Sequence, residues 1–237
     1  MVLMAALPDA DVVSAMLGPE FSVSIAKPTP LLDGLYPEER LYVARATKKR
    51  QAEFATARSC ARRALSQLGV VDCPLVPNAD RSPAWPAGVK GSITHAADCC
   101  LVVVTDAPSV LSVGIDIEPD APLEHELESL ICAPRERQWL ADADSAQRSN
   151  LLRLIFSAKE AFYKCHYAAK RTWVDFTDVS LDICLASETF LVTPARNLGK
   201  GLAHIDSVSG NFRRLNGFIV TSAVLRANDR SDRLPLG

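Results

Sequence analysis

Residues 99–118 read CCLVVVTDAPSVLSVGIDIE. The first six are uniformly apolar, the pattern of a strand buried on both faces. After a break at 106–108 the chain resumes as LSVGIDI, residues 111–117, where apolar and non-apolar positions alternate. Val113, Ile115 and Ile117 take one face of that strand, and Gly114, Asp116 and Glu118 the other. The two runs are expected to be neighbouring strands, the first reaching back to Ser92 and lying centrally. Asp116 and Glu118 then have Cα atoms about 7 Å apart on one face, near enough for both carboxylates to reach one hard cation. An exposed acidic face is the competing reading. A central position weighs against it, because unpaired carboxylates are costly to bury.

Helix flanks these strands on both sides in the sequence. Upstream, Pro37, Glu38 and Glu39 suit a helix start, and Gly69 closes a run that ends at Leu68. Phe54, Ala57, Ala61, Ala64, Leu65 and Leu68 form its buried stripe. Arg58 and Arg62 border that stripe, and Arg63 points away as a solubilising residue. A short strand at 21–26 precedes this helix, and a Pro- and Gly-rich loop at 78–91 follows it. Downstream come a short helix at 134–141, a longer one from about Asn150 to Ala169, and strands at 179–185, 189–193 and 217–227. In the longer helix Leu151, Ile155, Ala158, Phe162 and Ala169 form a core stripe, while Ser157, Glu160 and Lys164 form a polar window bordered by Leu152, Phe156 and Tyr163. Glu160 and Lys164 read either as a surface i,i+4 pair or as an acid and a base facing a cleft.

Charge divides along the chain. Residues 40–63 carry eight basic side chains and one acid, whereas 114–144 carry nine acids and two arginines. The formal net charge is −2, which argues against a general nucleic-acid binder. A solvated helix face would explain either run alone; together they fit a compact polyanion at one site and a metal ion or basic partner at the other. With 237 residues, 48% hydrophobic and 23% charged, the chain has a globular composition. No apolar run approaches the roughly 20 residues of a membrane-spanning helix, and no basic residue precedes Lys27, so neither membrane insertion nor a secretory signal is expected and a cytoplasmic setting is. The seven cysteines include no C-x-x-C pair and are read as reduced and mostly buried. Walker and Rossmann glycine patterns are absent, so a nucleotide would be held by side-chain cations. Ser92, Thr94 and His95 are natural donors to phosphate; His125, His166 and His204 are given no role.

Four ordered motifs, KRQAEFATARSCARRAL (49–65), DRSPAWPAGVKGSITH (80–95), VGIDIE (113–118) and FSAKEAFYK (156–164), resemble the 4′-phosphopantetheinyl transferases. The likeness is to the surfactin-synthetase-activating type and, within it, the enterobactin synthetase component D-like branch. One departure is that CHYAAKRTW (165–173) lacks a proline often found after the last motif. The resemblance implies an α+β fold of two similar α/β halves related by pseudo-two-fold symmetry, each a small antiparallel sheet packed with helices. Residues 1–110 would form the half that contacts coenzyme A phosphates. Residues 111–237 would form the half with the metal-binding acids, and coenzyme A would lie in the cleft between them.

Carried over by motif, Arg50 and Arg58 would hold the 3′-phosphate and adenine end, with Arg81, Thr94 and His95 adding phosphate contacts. Asp116, Glu118 and Glu160 would bind Mg²⁺, or Mn²⁺ in its place, with Asp116 also beside the substrate. Lys159 and Lys164 would lie along the phosphates, Lys164 neutralising charge or protonating the departing 3′,5′-ADP. Glu136 and Glu160 are competing candidates for the base that activates a carrier serine. The implied partners are coenzyme A and apo acyl, peptidyl or aryl carrier domains, as in siderophore and other secondary-metabolite biosynthesis, and a monomer is expected. Two other classes compete: a non-catalytic coenzyme A- or carrier-binding module, against which the full set of Asp116, Glu118, Glu160 and Lys164 speaks, and a Mg²⁺-dependent nucleotide hydrolase. The polar tail, 228–237, is read as disordered.

Overall fold

The computed structural model describes residues 6–96, 98–195 and 207–227. The chain divides into two compact units, Met1–Pro108 and Ser109–Gly237. His204 and the tail at 228–237 fall outside the described residues.

In the first unit, α1 (Ala10–Leu17) is N-capped by Asp9, whose side chain accepts from Asp11 N, and ends at Gly18 with φ 119°. Strand β1 (Ser22–Ala26) follows. The single helix expected from Pro37 to Leu68 is two: α2 (Pro37–Val43) and α3 (Lys48–Gln67). The break comes from Thr47, whose backbone is extended and whose Oγ1 accepts from Arg50 N at 3.3 Å, starting a new helix. Strands β2 (Lys90–Ala96) and β3 (Cys99–Thr105) form a hairpin where one long strand was expected. The sheet order is β1-β3-β2, all antiparallel. Every residue of β3 is buried, as its apolar run requires. Ala57, Cys60, Ala61, Ala64 and Leu65 of α3 pack with Cys100, Val102 and Val104 of that strand, the small side chains allowing close approach. Arg63 does not merely point to solvent: its Nη2 donates to Cys60 Sγ at 3.2 Å and to Ile25 O at 3.4 Å.

The second unit opens with β4 (Val110–Pro119), then α4 (Glu128–Ile131), α5 (Pro134–Ala141) and α6 (Ser145–Lys170). Strands β5 (Val179–Cys184), β6 (Thr189–Pro194), β7 (Val208–Leu215) and β8 (Phe218–Arg226) complete it. The sheet order is β4-β8-β7-β6-β5, antiparallel throughout. Thus β3 and β4 belong to different sheets, and among the described residues β4 is an edge strand paired with β8 alone. An apolar run shows burial but does not name the strand that pairs with it.

Strand β7 escaped the sequence reading because its alternation passes through Gly210, against which the Phe190 ring packs where a β-carbon would stand. The cue was present next door: Asn216 and Gly217, both at positive φ, make the two-residue turn into β8. Both units follow one plan, an antiparallel sheet packed against one long helix, with three strands in the first and five in the second. Core residues of α6 include Leu154, Ile155, Ala158, Ala161, Phe162 and Cys165. All seven cysteines are free thiols, five of them buried. Among the described residues, no helix is long and apolar enough to cross a membrane.

Candidate active site

In the first unit, the N-terminal half of α3 and the loop before β2 enclose a pocket of about 170 Å³ lined by Tyr42, Arg50, Phe54, Arg58, Arg81 and His95. Helical spacing puts Arg50, Phe54 and Arg58 on one side of α3. Arg58 is only 4% exposed. Its Nε donates to Leu75 O at 2.6 Å and its guanidinium lies 4.0 Å from the centre of the Phe54 ring. Burial lowers its pKa to about 10, which still leaves a cation at neutral pH. Arg50 Nη1 stands 3.1 Å from His95 Nε2. Arginine has only donors, so His95 Nε2 is the acceptor in that contact; the Glu53 carboxylate, which also lines the pocket, lies 3.6 Å from Arg50 Nη1 and 3.9 Å from His95 Nε2. Arg81 has φ +67° and is set by a tight turn in which its N donates to Asn78 O at 2.8 Å. The pocket therefore gathers Arg50, Arg58, Arg81 and His95, while Thr94 is buried within β2 and does not line it.

In the second unit the decisive packing is α6 across β4. Gly114 permits it: a β-carbon there would overlap the backbone of Ala161 and Cys165. Two residues on, the same strand face carries Asp116, 4% exposed. Lys164 Nζ donates to its Oδ1 at 2.7 Å and to Ile115 O at 3.2 Å. Ser157 Oγ donates to its Oδ2 at 2.9 Å. Thr221, directly opposite Asp116 in the β4–β8 register, places Oγ1 2.9 Å from Ser157 Oγ and 2.9 Å from Ser157 O. Sequence reasoning placed Ser157 in the polar window but missed Thr221, which only strand pairing brings to Asp116.

Glu118 is held by Arg153, whose Nη1 donates to Oε2 at 2.9 Å while its Nε donates to Ala121 O at 3.1 Å. Burial and the neighbouring Asp116 charge raise the Glu118 pKa above its ordinary value. Glu160 is likewise raised, first by burial and further by Asp116, with Lys164 opposing. Asp116 is thus the common neighbour through which the three acids interact. Among the described residues, no three His, Cys, Asp or Glu side chains are gathered into a group that could hold a metal ion as they stand. The donor set itself, hard carboxylate oxygens, is chemically suited to Mg²⁺.

Lys159, expected along the phosphates, is committed to protein acceptors. It is 1% exposed, and its Nζ donates to Glu136 Oε2 and Phe176 O at 2.7 Å, Ile131 O at 2.8 Å and Val179 O at 3.0 Å. Glu136, a candidate base, is likewise enclosed: 3% exposed, it accepts from Ala133 N at 2.6 Å, Leu181 N at 2.8 Å and Lys159. Burial works against the charge on both, lowering the lysine pKa and raising the carboxyl pKa. The pair knots α5 and α6 to β5. Beside it lies a small pocket of about 100 Å³ lined chiefly by Glu160, Phe162, Tyr163, Trp173 and Phe176.

Comparison with known proteins agrees with this arrangement. Residues 38–105 match the 4′-phosphopantetheinyl transferase N-terminal domain, and residues 112–208 match the 4′-phosphopantetheinyl transferase superfamily. The chain is 38% identical to the 4′-phosphopantetheinyl transferase Svp of Streptomyces mobaraensis over 198 residues, 81% of this chain and 79% of that protein. It is 40% identical to the 4′-phosphopantetheinyl transferase PptT of Mycobacterium tuberculosis over 147 residues, 61% and 63% of the two chains. Against enterobactin synthase component D of Escherichia coli it is 39% identical over 121 residues, 50% and 56% of the two. With a cation-lined pocket on one unit, a buried carboxylate site on the other and these relatives, the chain belongs to the 4′-phosphopantetheinyl transferase superfamily, enzymes that transfer phosphopantetheine to carrier proteins.

Proposed function

We propose that the donor is coenzyme A, the acceptor a serine of an acyl, peptidyl or aryl carrier domain, and the second product 3′,5′-ADP. The observation that carries this reading is the pocket on α3. Three guanidinium groups and an imidazole beside the Tyr42 and Phe54 rings suit a phosphorylated nucleoside, whose phosphate takes the cations and whose base takes an aromatic face. Arg50, Arg58, Arg81 and His95 are assigned to that end. The apolar pocket beside Glu160 suits the pantetheine arm, which is largely uncharged.

Asp116, Glu118 and Glu160 would hold Mg²⁺, which when bound neutralises the pyrophosphate charge. The carrier serine oxygen forms a bond to the β-phosphorus as the bond to the 3′,5′-ADP oxygen breaks. The serine proton goes to Glu160, the candidate base left once its rival Glu136 is enclosed. Lys164, beside Asp116, neutralises or protonates the leaving oxygen. Such chemistry asks mainly for positioning and charge compensation. The free state of all seven cysteines supports a reducing, cytoplasmic setting.

The test is incubation with coenzyme A, Mg²⁺ and an apo carrier domain, followed by intact mass of the carrier. Addition of the phosphopantetheine mass is the expected result, and Asp116→Ala should remain folded without producing it. Release of 3′,5′-ADP with an unmodified carrier would instead identify a hydrolase, and neither product would identify a binding module.

A further inference from the structure

We propose that Ser157 and Thr221 form a neutral hydroxyl relay that positions Asp116 for the divalent ion, an inference that rests on the metal reading above. The argument is one of proton count. Ser157 Oγ donates to Asp116 Oδ2 at 2.9 Å, and that contact uses the serine's only hydroxyl proton. Toward Thr221, Ser157 Oγ can then only accept. The threonine proton is shared between Ser157 Oγ and Ser157 O, both at 2.9 Å. Direction is therefore defined: Thr221 donates to Ser157, and Ser157 donates to Asp116.

The relay is built into rigid parts. Ser157 and Thr221 are both 0% exposed, one on α6 and one on β8, and Asp116 is cross-strand from Thr221. Two hydroxyls carry no net charge, so they fix the carboxylate without neutralising it. Lys164 sits on the other oxygen, Oδ1, at 2.7 Å. A second cationic donor, at Oδ2, would have competed further with an incoming cation; a serine orients the ligand and adds no positive charge beyond that of Lys164. Outer residues that orient a metal ligand in this way typically govern affinity for the ion.

The test uses the full chain with saturating coenzyme A and Mn²⁺ as probe, following loss of the free aqueous Mn²⁺ paramagnetic signal against a coenzyme A blank. Ser157→Ala and the near-isosteric Thr221→Val should each weaken Mn²⁺ binding, the serine variant by about 10-fold or more. Thr221→Ser, which keeps the hydroxyl, should bind as the parent does. The Mg²⁺ concentration for half-maximal transfer should rise in proportion, with KM for coenzyme A unchanged. Parent-like Mn²⁺ binding by Ser157→Ala and Thr221→Val would overturn the relay while leaving the metal site intact. An unsubstituted chain that takes up no Mn²⁺ beyond the blank would overturn the metal reading itself. If Ser157→Ala fails to fold, the contrast between Thr221→Val and Thr221→Ser decides.

Discussion

Lys159 Nζ and Glu136 Oε2 lie 2.7 Å apart with both side chains all but sealed from solvent. The other acceptors of the lysine are backbone carbonyls of Ile131, Phe176 and Val179, and the other donors to the glutamate are backbone amides of Ala133 and Leu181. Each charge is thus surrounded by groups that suit it and nothing else. Lys159→Met should cost about 3–5 kcal/mol, because it leaves a buried carboxylate without its cation, and Lys159→Met/Glu136→Leu should recover much of that loss. Urea unfolding measures both. Undiminished stability in Lys159→Met, together with a raised KM for coenzyme A, would return the lysine to a phosphate-binding role.

Arg58 joins packing to binding. Its Nε is committed to Leu75 O and its face to Phe54, yet it lines the pocket on α3. Arg58→Ala should raise the KM for coenzyme A by about 10-fold, the worth of one charge-assisted hydrogen bond, and lower the thermal midpoint as well. Steady-state kinetics at fixed carrier concentration test the first effect, and an unchanged KM would remove Arg58 from the site.

Gly114 has no room for a side chain beneath α6. Gly114→Ala should destabilise the second unit by about 1–3 kcal/mol through overpacking. By pushing α6 from β4 it should also reduce transfer more than it reduces coenzyme A binding, since Ser157, Glu160 and Lys164 ride on that helix. Calorimetry of binding alongside turnover separates the two effects.

Glu128 supplies a pH signature. Arg148 donates to both its oxygens, at 2.7 and 2.8 Å, and those bonds hold its carboxyl below the ordinary value of 4.5. The unfolded chain therefore takes up a proton at higher pH than the folded one. Stabilisation is complete above 4.5 and lost as pH falls through the depressed value. Arg148→Met should be less stable than the parent at neutral pH, and the difference should shrink as pH falls below 4.5. Urea midpoints measured across that range check it, and a pH-independent difference would refute it.

The elements that the residues announced are those governed by local rules. Residues 134–141 form the expected helix because Pro134 sits at its first position and Glu136 reaches back to Ala133 N. The alternation at 111–117 correctly put Gly114, Asp116 and Glu118 on one face, and the charge partition anticipated a cation-lined pocket on α3. The break at Thr47 was also local, but helical spacing on either side of it masked a polar cap in the middle.

What sequence alone determined, then, was which side chains are apolar, which are charged, and which face each takes within its own helix or strand. Pairing and engagement were decided only by tertiary structure. Strand β4 sits at an edge beside β8, distant in the chain, and that pairing is what delivers Thr221 to Asp116. Lys159 and Glu136 read as a phosphate contact and a candidate base, whereas packing buries them against carbonyls and amides that carry no residue-specific signal. The physical reason is common to these cases. Periodicity is a property of neighbours along the chain, whereas hydrogen-bond partners and desolvation depend on atoms brought together from many positions apart.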